Sequence, residues 1–497
     1  MDHMEAGITA RDRLVQAFYL LFAVCFTLAA ASCLVRNGSR GGVELGFTAL
    51  GVPVCAAGVW LVKYLLDRFS GQMERYYLPI LWAFAGCMFL AELLFALVLR
   101  HGVWFDVGAI FDGAVQWAET GTFSGYYGYF GYFPNNLGGL TFLYGLFRPA
   151  FLAGFTNYYA AASLAACLML TGAMALTSLI CRELAGASCG VLALAVFALS
   201  PQFWFLGGAV YTDVLSMLFP ALFFYCYLRF RAGGERRLLL LLVMGLAIGV
   251  GSQIKPTVLI AAVAALVDAC LRKKPAEAAK VALCAFGIAA VIGLSLNGVL
   301  YSTQLSREEA RANNTPMLHW VMMGLKGDGY YNPEDYEFTR SLPVEGRDRA
   351  LLDEIAARIR QRGLGGMLEL TARKSAADFG DGTYGADDFL KIPPHGDTVL
   401  HQFVLQDGAY YGWYRGYTSA LHVALMVWMT AAAWRFAAGR ARRRGWGRLP
   451  LYLAVFGLWL FLMWWETSSR YFSNFAPVLI ACGVLAVSDL PARRAAS

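Results

Sequence analysis

Long uninterrupted apolar runs recur along this chain and leave it few ways to fold. Runs of about 17 to 24 residues repeat from near residue 14 to near residue 489, each long enough for a helix to cross a hydrocarbon layer of about 30 Å. No water is present there to satisfy N–H and C=O groups. The backbone must close its hydrogen bonds within each run, so every run is predicted to be helical. Composition agrees: of 497 residues, 58% are hydrophobic and only 15% charged, and mean hydropathy is +0.51, against roughly 25% charged residues in soluble domains. The predicted fold class is an all-α polytopic membrane protein.

About twelve spans are expected, near residues 14–35, 46–66, 77–99, 158–181, 188–206, 213–230, 237–254, 256–271, 279–301, 416–436, 449–465 and 472–489. The apolar piece from Leu137 to Phe147 is too short to cross and is expected to lie in the interface as an amphipathic helix. The first run is read as a span and not as a cleaved leader. Basic residues then set the orientation. Arg229, Arg231, Arg236 and Arg237 share one loop; Arg272, Lys273 and Lys274 share another. Arg440, Arg442, Arg443, Arg444 and Arg448 fill a third, and Arg493 and Arg494 end the chain. With Leu137–Phe147 not crossing, all four clusters fall on one side, which the positive-inside rule makes cytoplasmic together with both termini. The segment 302–415 on the other side holds about half of the chain's 34 acidic residues, so charge asymmetry gives the same orientation without span counting. The net charge of +7 sits in these short loops, as topology determinants do, and not on a face that would track nucleic acid. The 11 cysteines lie almost entirely in apolar runs without CxxC spacing, which suits small buried hydrophobes rather than a disulfide frame or zinc site.

The predicted organisation is a two-span N-terminal extension (1–75), a membrane core (76–301) whose first outer loop covers 100–157, an extracytoplasmic insert (302–415) and C-terminal spans (416–497). Within the insert, Leu351 to Lys374 carries helical periodicity. Ionisable residues near membrane ends are costly unless paired or functional, and four groups of them fall on the outer side: Asp106 with Asp112 and Glu119; Tyr211-Thr212-Asp213; Lys255-Pro256; and Glu466 with Arg470-Tyr471. Asp106 at the mouth of an outer cavity could take a proton from an incoming hydroxyl, or it could cap the helix that follows it. Asp213 admits the same capping alternative, and Lys255 could snorkel to the interface. Glu466 and Arg470 stand four apart, a spacing at which they would pair on a helix. His319 and Trp320 open the insert and suit either a ligand contact or packing.

The stretch WFDVGAIFDGAVQWAETGTFSGYYGYFGYFPNN resembles the first outer loop of the GT-C superfamily of glycosyltransferases. The likeness is to the protein O-mannosyltransferases of glycosyltransferase family 39 and to the lipid A aminoarabinose transferases. It continues through SPQFWFLGGAVYTDV, GSQIKPTVLI and WWETSSRYFSNF, and covers the chain from about residue 76 onward. The resemblance implies a GT-C-type bundle in which Asp106 is the catalytic base, with Asp112 as a substitute. It places Asn135, Asn136, Tyr211 and Asp213 near sugar or acceptor, and Lys255, Glu466, Arg470 and Tyr471 around the donor phosphate. His319 and Trp320 would contact sugar or carrier. Many members carry Asp-Glu or Asp-x-Asp where this chain has Asp106-Val107, so no metal and no cofactor are expected.

The function implied is transfer of a sugar from a polyprenyl-phosphate carrier to a hydroxyl of an acceptor glycan, glycolipid or protein on the extracytoplasmic face. No P-loop or Rossmann glycine pattern supports a nucleotide donor, and nucleic acid is not an expected partner. The alternatives are a lipid-linked glycan flippase or transporter, which would carry polar or broken-helix sites at mid-membrane, and a glycan polymerase or ligase.

Overall fold

The computed structural model describes residues 9–489, and all regular elements among them are helical. Three spans open the chain: α1 (Ala10–Ser39), α2 (Gly42–Arg68) and α3 (Ser70–Val98). Two helices of the first long loop follow, α4 (Phe105–Thr120) and α5 (Leu137–Leu152). Next come α6 (Tyr158–Ala185), α7 (Ala187–Ala198, continued after a 63° bend by Pro201–Gly208), α8 (Thr212–Ala232), α9 (Arg237–Ile254), the shorter α10 (Pro256–Leu271) and α11 (Pro275–Thr303). The insert contributes α12 (Arg307–Asn313), α13 (Met317–Gly324), α14 (Pro333–Ser341) and α15 (Arg347–Phe379). The chain then returns through α16 (Tyr411–Ala437), α17 (Arg442–Trp464) and α18 (Ser469–Val487).

All twelve expected segments form helices, but among the described residues ten are long and apolar enough to cross alone, or eleven with the bent pair. The shortfall has two local causes. Pro201 cannot continue the helix begun at Ala187, and Pro256 starts α10 so late that Arg272 closes it before span length is reached. The Leu137–Phe147 piece is the core of α5, whose 16 residues are not among the helices long and apolar enough to cross. It buries Leu137, Leu140, Leu143 and Phe147.

The two ends of the bundle differ in chemistry. At one end Asp268 pairs with Arg231 (3.2 Å) and Arg272 (2.9 Å), Asp489 with Arg444 (3.0 Å) and Arg448, and Asp12 with Arg442 (3.4 Å). Three of the four expected basic clusters therefore share this end; Arg493 and Arg494 lie outside the described residues. The insert covers the opposite end. Its helix α15 contains the predicted 351–374 stretch, kinks at Gly363 and sinks its last turns, Lys374–Phe379, into the bundle. The first span is woven into the C-terminal half: the Tyr19 hydroxyl donates to the Gly445 carbonyl (2.7 Å) and Asn37 Nδ2 to that of Gly380 (2.8 Å).

The first long loop is seated on α9 through a glycine. A Cβ at Gly138 would run into the Gln253 carbonyl, whereas Gly145 on the same helix has open space at that point. Gly138→Ala is expected to destabilise the solubilised protein by about 1–3 kcal/mol through forced backbone displacement. Gly145→Ala is expected to leave stability unchanged or raise it by up to about 1 kcal/mol. Thermal unfolding of the two variants side by side checks the contrast.

Candidate functional site

At the insert end of the bundle, α4 begins from a strained backbone. Phe105 holds φ +48°, in the left-handed region that non-glycine residues rarely adopt. Asp106 follows in the first turn, but its side chain does not cap the helix; Trp104 occupies the N-cap position. The Asp106 carboxylate instead accepts from the Tyr129 hydroxyl (2.6 Å) and from the Tyr211 hydroxyl (3.4 Å). Asn136 Nδ2 donates to Tyr129 Oη (2.6 Å), and Asn135 Nδ2 to Asn136 Oδ1 (3.2 Å). Burial, with the Asp106 charge beside it, pushes the Tyr129 hydroxyl well above its ordinary range. Tyr129 therefore remains a donor at neutral pH.

A second set of charges lies beyond the Tyr211 ring. The α9 helix ends at Lys255, whose backbone is extended, and Pro256 starts the next helix. This break aims the Lys255 ammonium at Asp213, with which it forms an ion pair. Arg470 Nη1 approaches the other Asp213 oxygen at 4.0 Å. The Arg470 guanidinium lies 5.3 Å from the Tyr211 ring centroid and 5.2 Å from that of Tyr471; Lys255 Nζ is 5.1 Å from the latter. Asp213 is only 1% exposed, so its charge depends on these two cations. The Tyr471 hydroxyl donates to Glu466 (2.7 Å), a carboxyl that burial pushes upward. Asp106, Tyr129, Arg470 and Tyr471 each keep part of their surface exposed, whereas Tyr211, Asp213, Lys255 and Glu466 are buried behind them.

The structure thus brings Asp106, Asn135, Asn136, Tyr211, Asp213, Lys255, Glu466, Arg470 and Tyr471 into one contiguous network, with Tyr211 touching both halves. Three expectations need correction. Glu466 and Arg470 do not pair as i and i+4 partners, because residues 465–468 are not helical and Ser469–Phe475 is a tighter 3₁₀ turn. Glu466 is bonded through Tyr471, and Arg470 turns to Asp213. Asp112 stays outside the network: it is half-buried on α4 with no hydrogen bond or ion pair among the described residues, and burial raises its pKa. His319 has no exposed surface to offer a ligand. It is 0% exposed and its Nδ1 lies 2.7 Å from Thr339 Oγ1 inside the insert. Trp320 is nearer the network, with its ring 6.1 Å from Trp465, the neighbour of Glu466.

Two residues that sequence reasoning passed over shape the site. Lys374 donates to the carbonyls of Gly324 (3.1 Å) and Trp465, and Asp378 accepts from the Ser468 amide (2.9 Å). With the Thr467 amide donating to Gly329 (2.7 Å), they fix the turn that carries Glu466 and Arg470. Burial lowers Lys374 to about 8 and raises Asp378 well above the carboxylate range. The signal was a Lys and an Asp four apart, separated only by Ser-Ala-Ala, at the end of the predicted insert helix. Gly385, at φ +70°, lets the end of the insert pass against Arg470, where a Cβ would meet the Arg470 Cβ at 2.8 Å. Among the described residues no group of three or more His, Cys, Asp or Glu side chains is placed to hold a metal ion.

Fold and charge placement together define an all-α, multi-pass integral membrane protein with a clustered polar site at one end of its bundle. The chain belongs to a family described as conserved hypothetical integral membrane protein, which it matches over residues 8–490. No curated protein and no solved structure matches it.

Burial depresses His319 from 6.5 to about 4. Between those values the unfolded chain binds a proton that the folded chain refuses, so stability falls as pH drops through this window. His319→Gln, which can keep a hydrogen bond to Thr339 without titrating, is expected to flatten the decline in Tm between pH 6.5 and 4. An unchanged decline would assign the pH sensitivity to other groups.

Proposed function

We propose that this protein is a membrane glycosyltransferase that moves a sugar from a polyprenyl-phosphate carrier to an acceptor hydroxyl, with Asp106 as general base. The observation that carries the reading is the reach of Tyr211. Its hydroxyl touches Asp106 and its ring lies under Arg470, so a carboxylate and a phosphate-binding cation stand on either side of one aromatic ring. The first-loop resemblance to GT-C enzymes supplies the reaction class.

In this reading the acceptor hydroxyl gives its proton to Asp106 as its oxygen bonds to the anomeric carbon. The bond from that carbon to the carrier phosphate breaks, and its electron pair passes to the phosphate oxygen. Lys255 and Arg470 share the single carboxylate of Asp213, so once Asp106 has taken the proton one unit of positive charge is left to meet the negative charge growing on the leaving group. Arg470 is the better fork for phosphate oxygens. Asn136 holds Tyr129, and Tyr129 holds Asp106, so the base is oriented before substrate arrives. The site end is assigned to the extracytoplasmic face and the basic end, with both termini, to the cytoplasm, on the positive-inside rule.

Transfer from a radiolabelled polyprenyl-phosphate sugar in isolated membranes tests the proposal. Asp106→Asn is expected to lower the transfer rate by roughly 10²–10⁴-fold, the usual contribution of a general base, with carrier binding retained; Asp112→Asn is expected to stay active. Full transfer by the Asp106→Asn variant would remove the base. Export of unmodified lipid-linked sugar by parent and variant alike would instead make the protein a transporter.

A further inference from the structure

A cleft of about 330 Å³ lies at the insert end of α11, edged by Pro134, the residue before Asn135 and Asn136 of the network around Asp106. One wall is a helical stripe of α11: Leu294, Asn297, Gly298 and Tyr301. The other is the matching stripe of α12 and the residue after it: Arg307, Ala310, Arg311 and Asn314. Both stripes follow the three-and-four spacing of a single helix face, so two faces confront each other across the gap.

The walls differ in chemistry. The α11 span has only 11% of its apolar window buried inside the protein, and Leu294 is 74% exposed. In a membrane so little-buried a span meets lipid along most of its length, and Leu294 carries that apolar surface into the cleft. At the aqueous end of the same cleft stand two guanidinium groups. Arg307 lies 5.9 Å from the Tyr301 ring centroid, and neither Arg307 nor Arg311 has an acidic partner among the described residues. At the opposite end of the bundle Arg231, Arg272, Arg444 and Arg448 each have one.

We infer that this cleft binds an anionic membrane lipid, its phosphate held by Arg307 and Arg311 and its hydrocarbon chain laid along Leu294 of α11. The occupant must be amphiphilic, because apolar and cationic walls are joined end to end. It must be anionic, because two unpaired guanidinium groups fork naturally onto phosphate oxygens. The inference is independent of the sugar-transfer reading, since Asp106, Lys255 and Arg470 take no part in it.

Native mass spectrometry of the detergent-solubilised full chain with added phosphatidylglycerol tests this site. The double variant Arg307→Gln/Arg311→Gln is expected to bind phosphatidylglycerol about tenfold more weakly than the parent, as two charge-assisted contacts are lost. Gly298→Leu provides a second test that leaves the charges in place. A Cβ there meets nothing within 4 Å, so the added side chain can enter the cleft and is expected to displace the lipid. Phosphatidylglycerol affinity unchanged in the double variant would overturn the proposal. Equal binding of phosphatidylcholine would also overturn it, by showing an apolar seat only. Displacement of the lipid by an equal concentration of inorganic phosphate would do so too, by making free phosphate the ligand.

Discussion

A carboxylate that is 1% exposed at the start of a membrane span, Asp213, is the constraint around which this end of the molecule is organised. An unpaired charge in that position would forfeit several kcal/mol of hydration. Asp213 is instead met by Lys255 and approached by Arg470, which come from the α9–α10 break and the start of α18. Three segments distant in sequence must therefore end at the same depth and on the same side. Pro256 and the non-helical 465–468 turn are the local devices that let two of them do so.

The insert completes the arrangement from outside. Lys374, Asp378 and Gly329 grip the backbone of the 465–468 turn, and the same turn presents Glu466 and Arg470 to the site. The first long loop approaches from the other flank, pinned to α9 where Gly138 meets the Gln253 carbonyl, and it brings Tyr129 and Asp106 against Tyr211. Site geometry is thus a property of packing between loop, insert and span ends and not of any one helix. The half-exposed groups, Asp106, Tyr129, Arg470 and Tyr471, are the ones a ligand could reach.

Much of this was legible in the residues. The apolar runs located the span segments among the described residues because the membrane permits only helices there, and three of the four basic clusters do meet at one end. The gathering of Asp106, Asp213, Lys255 and Arg470 followed from counting spans. Contacts finer than that were not legible. The spacing of Glu466 and Arg470 suggested a direct pair, but periodicity has no meaning where the backbone leaves the helix. The Tyr-rich loop gave no sign that Tyr129, and not its neighbours, would hold Asp106. Nor could the pattern of an apparently amphipathic insert helix reveal that its last turn would be buried, turning Lys374 and Asp378 into supports for the site. His319 looked available beside Trp320, yet tertiary packing closed it off completely.

A double-mutant cycle on Asp213 and Lys255, read as the stability of the solubilised protein, tests most directly whether these charges form one buried unit. Loss of either partner alone is predicted to be severe, by about 3–5 kcal/mol, because removing Asp213 strands Lys255 and removing Lys255 leaves Asp213 only the more distant Arg470. The Asp213→Ala/Lys255→Ala protein is predicted to be no less stable than the worse single variant. Losses that simply add within about 0.5 kcal/mol would mean that the two groups do not sense each other, and the shared site would have no basis.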